Sequence, residues 1–85
     1  MKEKEIGYVS NYYSRISVAA VEMTAGTLSV NEIIHIKGHT TDLEIKVDSM
    51  QIEHEPVIEV KQGDSLGLKV PERVKRKDKV YKKME

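Results

Sequence analysis

His54 stands between Glu53 and Glu55 in the run Ser49-Met50-Gln51-Ile52-Glu53-His54-Glu55-Pro56-Val57. An imidazole flanked by carboxylates is the raw material of general acid–base chemistry. That chemistry requires the groups to converge in a pocket with shifted pKa values. In an extended strand, alternation sends His54 to the side of Met50 and Ile52 and both glutamates to the other. The stretch therefore reads as a strand and a corner, with the glutamates in water and His54 partly buried beside Pro56. Its second use is as a contact surface, for which Gln51, Glu53 and His54 are the candidates.

The other reactive side chains do not assemble into a motif. His35 and His39 share a strand face but lie about 13 Å apart by rise alone, too far to hold one metal, and cysteine is absent. Solvent-facing histidines are expected and no metal is assigned. Ser10, Ser14, Ser17 and Ser49 look like strand and turn residues without a base partner. Asp64-Ser65-Leu66-Gly67 matches a DxxG string, but no Gly-rich loop ending in Gly-Lys-Ser/Thr accompanies it, so it reads as a turn and a strand. No catalytic residue and no cofactor is predicted, and the chain is expected not to be an enzyme.

The second candidate surface is the basic C-terminal stretch RVKRKDKVYKK. Net charge is zero, yet seven acids and two bases fall between Thr40 and Asp64, and seven bases and three acids between Glu72 and Glu85. Arg73, Arg76, Lys77 and Lys79, with Tyr81 nearby, form a candidate phosphate-facing set, since basic residues with an aromatic suit RNA. The competing readings are a frayed terminus and acidic and basic strands that pair side by side.

These groups must be positioned by a small, aliphatic core. Eighty-five residues make one domain, with no Phe, Trp or Cys. No apolar run approaches the ~20 residues that cross a bilayer. No apolar stretch follows the charges of the N-terminus, so no signal peptide is expected and the protein is placed in the cytoplasm.

The elements read as strands. They are Ile6 to Tyr13, Ile16 to Met23 (central and covered on both faces), Leu28 to Val30, Glu32 to Lys37, and a strand with Leu43, Ile45 and Val47 inward. Ser65 to Val70 and a short piece at Lys79 to Lys82 follow. Asn11 to Arg15 holds a turn or bulge, and Gly26 supplies a positive φ. After Val47 the inward parity flips to Met50 and Ile52, which predicts a bulge or bend at Asp48-Ser49. Pro56 belongs at an edge or a strand end. Short strands with turn signals every 8–12 residues suggest a small β-barrel or sandwich, and closure would remove exposed edges.

The run Val47 to Val70, with Met50-Gln51-Ile52, His54-Glu55, Gly63-Asp64 and Leu66-Gly67-Leu68, resembles the second domain of translational GTPases of the elongation factor Tu and one-alpha type. Gly7-Tyr8-Val9, the Ile16 to Met23 strand, Gly26 and Ile34-His35-Ile36-Lys37-Gly38 are similar to that domain's first half. The chain is also similar to the C-terminal barrel of U32-type peptidase-like proteins. The resemblance implies an all-β, closed six-stranded barrel over 6–82, a flexible N-terminus at 1–5 and a tail at 83–85. Where the translation family carries Gly-Asp before its third strand this chain has Asn31-Glu32. Where its elongation members offer a glutamate to the terminal adenosine of tRNA this chain has Gln51. The function implied is a non-enzymatic module that docks on tRNA, rRNA or a translation-related protein. The alternative is a protein–protein adaptor or accessory subunit that completes a U32-type peptidase-like or RNA-modification enzyme.

Overall fold

The computed structural model describes residues 2–84. Ten strands run in chain order: β1 Lys2–Tyr13, β2 Val18–Met23, β3 Thr27–Ser29, β4 Ile33–Lys37, β5 Asp42–Lys46, β6 Met50–Ile52, β7 Glu55–Val57, β8 Glu59–Lys61, β9 Ser65–Lys69 and β10 Lys79–Met84. Among the described residues there is no helix, and none is thus long and apolar enough to cross a membrane. The Cα radius of gyration, 11.3 Å, is close to the ~12 Å typical of a compact chain of this length.

Eight strands form one antiparallel sheet in the order β5-β4-β10-β1-β2-β9-β6-β7, and β3 pairs with β8 in a separate ribbon. This corrects the expectation of a closed six-stranded barrel. The ladder has two edges, β5 and β7. Backbone bonds extend each pairing by a step: Asn31 N–H to the Val47 carbonyl (2.8 Å) and Val47 N–H to the Glu32 carbonyl (2.9 Å) continue the β4–β5 hairpin, and Val30 N–H to the Ile58 carbonyl (3.0 Å) continues the β3–β8 ribbon. Alternation could not distinguish the two arrangements, because an open curled sheet and a closed one bury the same single face.

The core is that inner face. Ile6, Val9, Ala19, Val21, Leu28, Ile34, Ile36, Val47, Met50, Leu68, Val74 and Val80 are all buried in one cluster. Val47 and Met50 both point inward across Asp48-Ser49, so the parity change is real. It is achieved by ending β5 at Lys46 and starting β6 elsewhere in the sheet, beside β9, rather than by a bulge within one ribbon. The bulges lie in β1, whose register shifts between Val9 and Asn11 against β2 and between Glu5 and Gly7 against β10. Gly26 has φ +65°, and Asn31 takes φ +80° at the turn where the expected pattern had glycine. Asparagine is among the residues that accept this region most readily.

At the two ends the strands run farther than the bounds read from the sequence, Ile6 to Tyr13 and Lys79 to Lys82. β1 begins at Lys2 and β10 runs to Met84, with Lys2 opposite Met84 and Glu3 opposite Lys83. The segments expected to be a flexible N-terminus and a tail are thus paired to each other where they are described. β10 is an interior strand between β1 and β4. Val74, isolated among charges in sequence, is a buried core residue. The loop carrying it is bonded to β1 through Lys77 N–H to the Val9 carbonyl and Val9 N–H to the Asp78 carbonyl, both 2.8 Å.

Candidate binding surface

The outer face of β1, β2, β9 and β6 is a lattice of rows fixed by strand register. Tyr8, Glu22 and Ser65 make one row, Asn11, Ala20, Gly67 and Gln51 the next, and Tyr13, Val18 and Lys69 the third. The middle row is nearly free of side chains at Ala20 and Gly67. A shallow groove of about 320 Å³ results, lined among others by Tyr13, Ile16, Val18, Glu22, Gln51 and His54. Tyr13 and Ile16 keep 49% and 56% of their surface accessible. Ser65 Oγ donates to Glu22 Oε1 at 2.6 Å.

Gln51, Glu53 and His54 are brought together here, all lining the groove, but not as alternation predicted. Ile52 pairs with Glu55, which leaves Glu53 and His54 as a two-residue hairpin loop with φ +50° and +67°. Two-residue hairpins of type I′ require positive φ at both central positions. For residues other than glycine that conformation costs ~1 kcal/mol each. His54 is exposed rather than partly buried beside Pro56, because a loop residue obeys no strand alternation. Pro56 sits on the edge strand β7, where its missing N–H removes no interior ladder bond.

The basic candidates are divided. Arg73 and Arg76 line a second shallow groove with Asn11, Tyr12, Val74 and Lys75, and Arg76 Nε donates to the Ser10 carbonyl at 3.1 Å. Lys77 has φ +75° and lines neither groove. Lys79 lies 3.5 Å from Glu5. Farther along β10, Lys82 meets Glu32 at 3.2 Å and Lys83 meets Glu44 at 2.9 Å. The lysines of β10 therefore follow the side-by-side pairing reading rather than that of a frayed terminus. Tyr81 lies opposite His35 in the sheet, with Lys37 Nζ 5.8 Å from its ring centre, so it does not join Arg73 and Arg76.

Sequence reasoning missed a cluster on the other outer face. His35 Nδ1 faces Glu3 Oε2 at 2.7 Å and its Nε2 contacts Asp42 Oδ1. The side chain, expected in solvent, keeps only 17% of its surface accessible. Hydrogen bonds to Asp42 first and Glu3 second raise the His35 pKa above its ordinary value, against the opposing effect of burial. The bond from His35 lowers the pKa of Glu3, and likewise that of Asp42. With a carboxylate at each ring nitrogen, the imidazolium donates twice. Asp42 was findable, because the β4–β5 register puts Lys37 opposite Asp42 and His35 opposite Glu44, making Asp42 a diagonal neighbour of His35. Glu3, 32 residues away, left no local signal.

An all-β domain whose open sheet carries a shallow groove on one outer face is the class that the geometry defines. Solved structures place it further. The fold is that of the C-terminal domain of a Geobacillus thermoleovorans protein described as a U32 peptidase, with a TM-score of 0.87, 12% identity, and coverage of 95% of this chain and 93% of that one. The selenomethionine variant of that domain gives a TM-score of 0.84 at 11% identity, covering 91% and 96%. In sequence, the chain is 41% identical over 78 residues to an uncharacterized protease of Methanocaldococcus jannaschii, covering 91% of this chain and 19% of the relative. It is 33% identical over 78 residues to a collagenase of Porphyromonas gingivalis, covering 91% and 22%. The chain thus spans about a fifth of the length of these relatives. No family model matches it. Of the two resemblances read from the sequence, the one to the C-terminal domain of U32-type proteins is supported. The elongation-factor and protein-biosynthesis reading is corrected, because relatives and structural neighbours alike carry peptidase and collagenase names.

Proposed function

We propose that this chain is a non-catalytic accessory module of a U32-type peptidase-like enzyme, acting by docking on polypeptide. The observation that carries the reading is the match in extent. Similarity covers 91% of this chain but only 19% of the protease-named relative, and the matching solved structure is a C-terminal domain. A segment that small, built as a complete sheet with its own core, supplies a surface and leaves the chemistry to the remainder. The groove agrees with this, since Glu53 and His54 occupy an open hairpin loop rather than a closed pocket.

The test has two arms. The chain is mixed with the remaining part of a U32-type peptidase-like protein from the same genome, and co-elution is followed by size-exclusion chromatography with light scattering. A stoichiometric complex is expected. In parallel, the chain alone is incubated with peptide and gelatin substrates, and no turnover is expected. Turnover by the isolated chain that disappears in Glu53→Gln would overturn the reading, as would failure to co-elute at micromolar concentrations.

A further inference from the structure

We infer that the groove across β2, β9 and β6 is a binding site for an extended polypeptide segment in which a lysine or arginine lies between aliphatic residues. The inference rests on the accessory-module reading for the class of partner, a polypeptide, and adds where it binds and what chemistry selects it.

The floor is the first argument. Gly67 is interior to β9 and adjoins Ala20 in register. Glycine weakens a strand interior and there marks close approach by another group. A Cβ at Gly67 would lie 3.2 Å from Val18 Cγ1 and 3.5 Å from Gln51 Cγ, so even one added carbon narrows the trench. The wall is the second. Exposed Tyr13 and Ile16 line the groove with Val18 and offer apolar contact to aliphatic side chains. Charge is the third. Two carboxylates, Glu22 and Glu53, line the groove and no lysine or arginine does. Lys69, the cation in the third row, donates to the Ile16 carbonyl at 3.1 Å. A carboxylate accepts more bonds than the one Glu22 receives from Ser65.

A long cationic side chain fits this arrangement. Its methylenes lie on the apolar wall and its head reaches the carboxylates. Gln51, at the end of the floor row, offers both a donor and an acceptor to the backbone of an extended segment. Because β2, β9 and β6 are interior strands, the segment is read by side chains and not added as a further strand. A polyphosphate chain would meet two like charges here, so the same surface disfavours nucleic acid.

The test is an NMR titration of the full chain with the capped peptide Ala-Val-Lys-Val-Ala and with its counterpart bearing glutamate in place of lysine. Amide shifts centred on Ala20, Gln51, Glu53 and Gly67 are expected with the lysine peptide, at about tenfold higher affinity than with the glutamate peptide. Combining Glu22→Gln with Glu53→Gln should remove that preference, at roughly fivefold cost to the lysine peptide. Gly67→Val should abolish binding, with folding checked by circular dichroism. Ile16→Ser, at an exposed position, should weaken binding without touching the fold. No shift at millimolar lysine peptide, equal affinity for both peptides, or a stronger response of the same amides to an RNA trinucleotide would each overturn the inference. If co-elution with the enzyme remainder persists while peptides fail, this inference falls and the accessory-module reading stands. Peptide binding without co-elution gives the converse.

Discussion

On the outer face of β4, β10 and β1, His35 is gripped by Glu3 and Asp42 while Lys83 meets Glu44. On the outer face of β2, β9 and β6, exposed Tyr13 and Ile16 line one groove with Ala20 and Gly67. Both faces belong to one sheet and lie over one core. The first directs several of its polar groups at one another across strands, so those charges are mutually answered. The second leaves apolar area and carboxylates facing outward with little between them. If the proposed groove binds, one outer face of the sheet ties strands together through its charges and the other meets the partner.

The contrast can be broken most severely from beneath. Ile36 is fully buried under the β4 face, and Ile36→Ala should cost about 2–4 kcal/mol. In a domain whose total stability is only on the order of 5–15 kcal/mol, a urea titration should show a large fall in midpoint. A smaller loss is expected at the buried Asp78. It accepts the Lys75 backbone N–H at 2.8 Å, and Asp78→Ala should cost about 1–3 kcal/mol by leaving that donor unanswered. Basic-loop and groove contacts should loosen with it, visible as faster amide exchange at Val9 and Lys77.

The clamp on His35 makes a pH-dependent prediction. The raised His35 pKa gives stability that is fully present below the ordinary 6.5 and lost as pH rises through the higher folded value. The lowered values of Glu3 and Asp42 give stability that is present above the ordinary 4.5 and 3.8 and lost as pH falls through their folded values. The clamp therefore contributes most between about pH 4.5 and 6.5. Melting temperature should decline on the alkaline side of that window in the native chain and less so in His35→Gln. Equal slopes in the two proteins would remove the clamp from the account. The smallest effect belongs to the groove: Ile16→Ser should change stability by within about 0.5 kcal/mol. A larger loss would mean that this face is structural, and the comparison between the two faces would collapse.

How much of this was legible depended on range. The β2, β4 and β9 segments were readable because alternation and turn residues are local signals, and Val47 to Met50 announced a parity break that the structure bears out. Gln51, Glu53 and His54 were read as one surface and do line one groove. Their hairpin was not read, since nothing local states that Glu53 and His54 adopt positive φ when Ile52 and Glu55 pair. Val74 gave no periodicity to follow, and its burial comes from a loop tied to Val9 by backbone bonds.

By itself, the sequence determined an aliphatic, all-strand chain with its inward positions largely assigned, because side-chain direction in a strand is a period-two property of neighbours. Only the tertiary structure decided that the sheet stays open at β5 and β7, that β10 enters the interior of the sheet, and that His35 finds Glu3. Those outcomes rest on pairing between residues distant in the chain, whose register no local pattern encodes. The groove arises the same way: Ala20, Gly67 and Gln51 are each ordinary in sequence and become a trench only when three strands align them in one row.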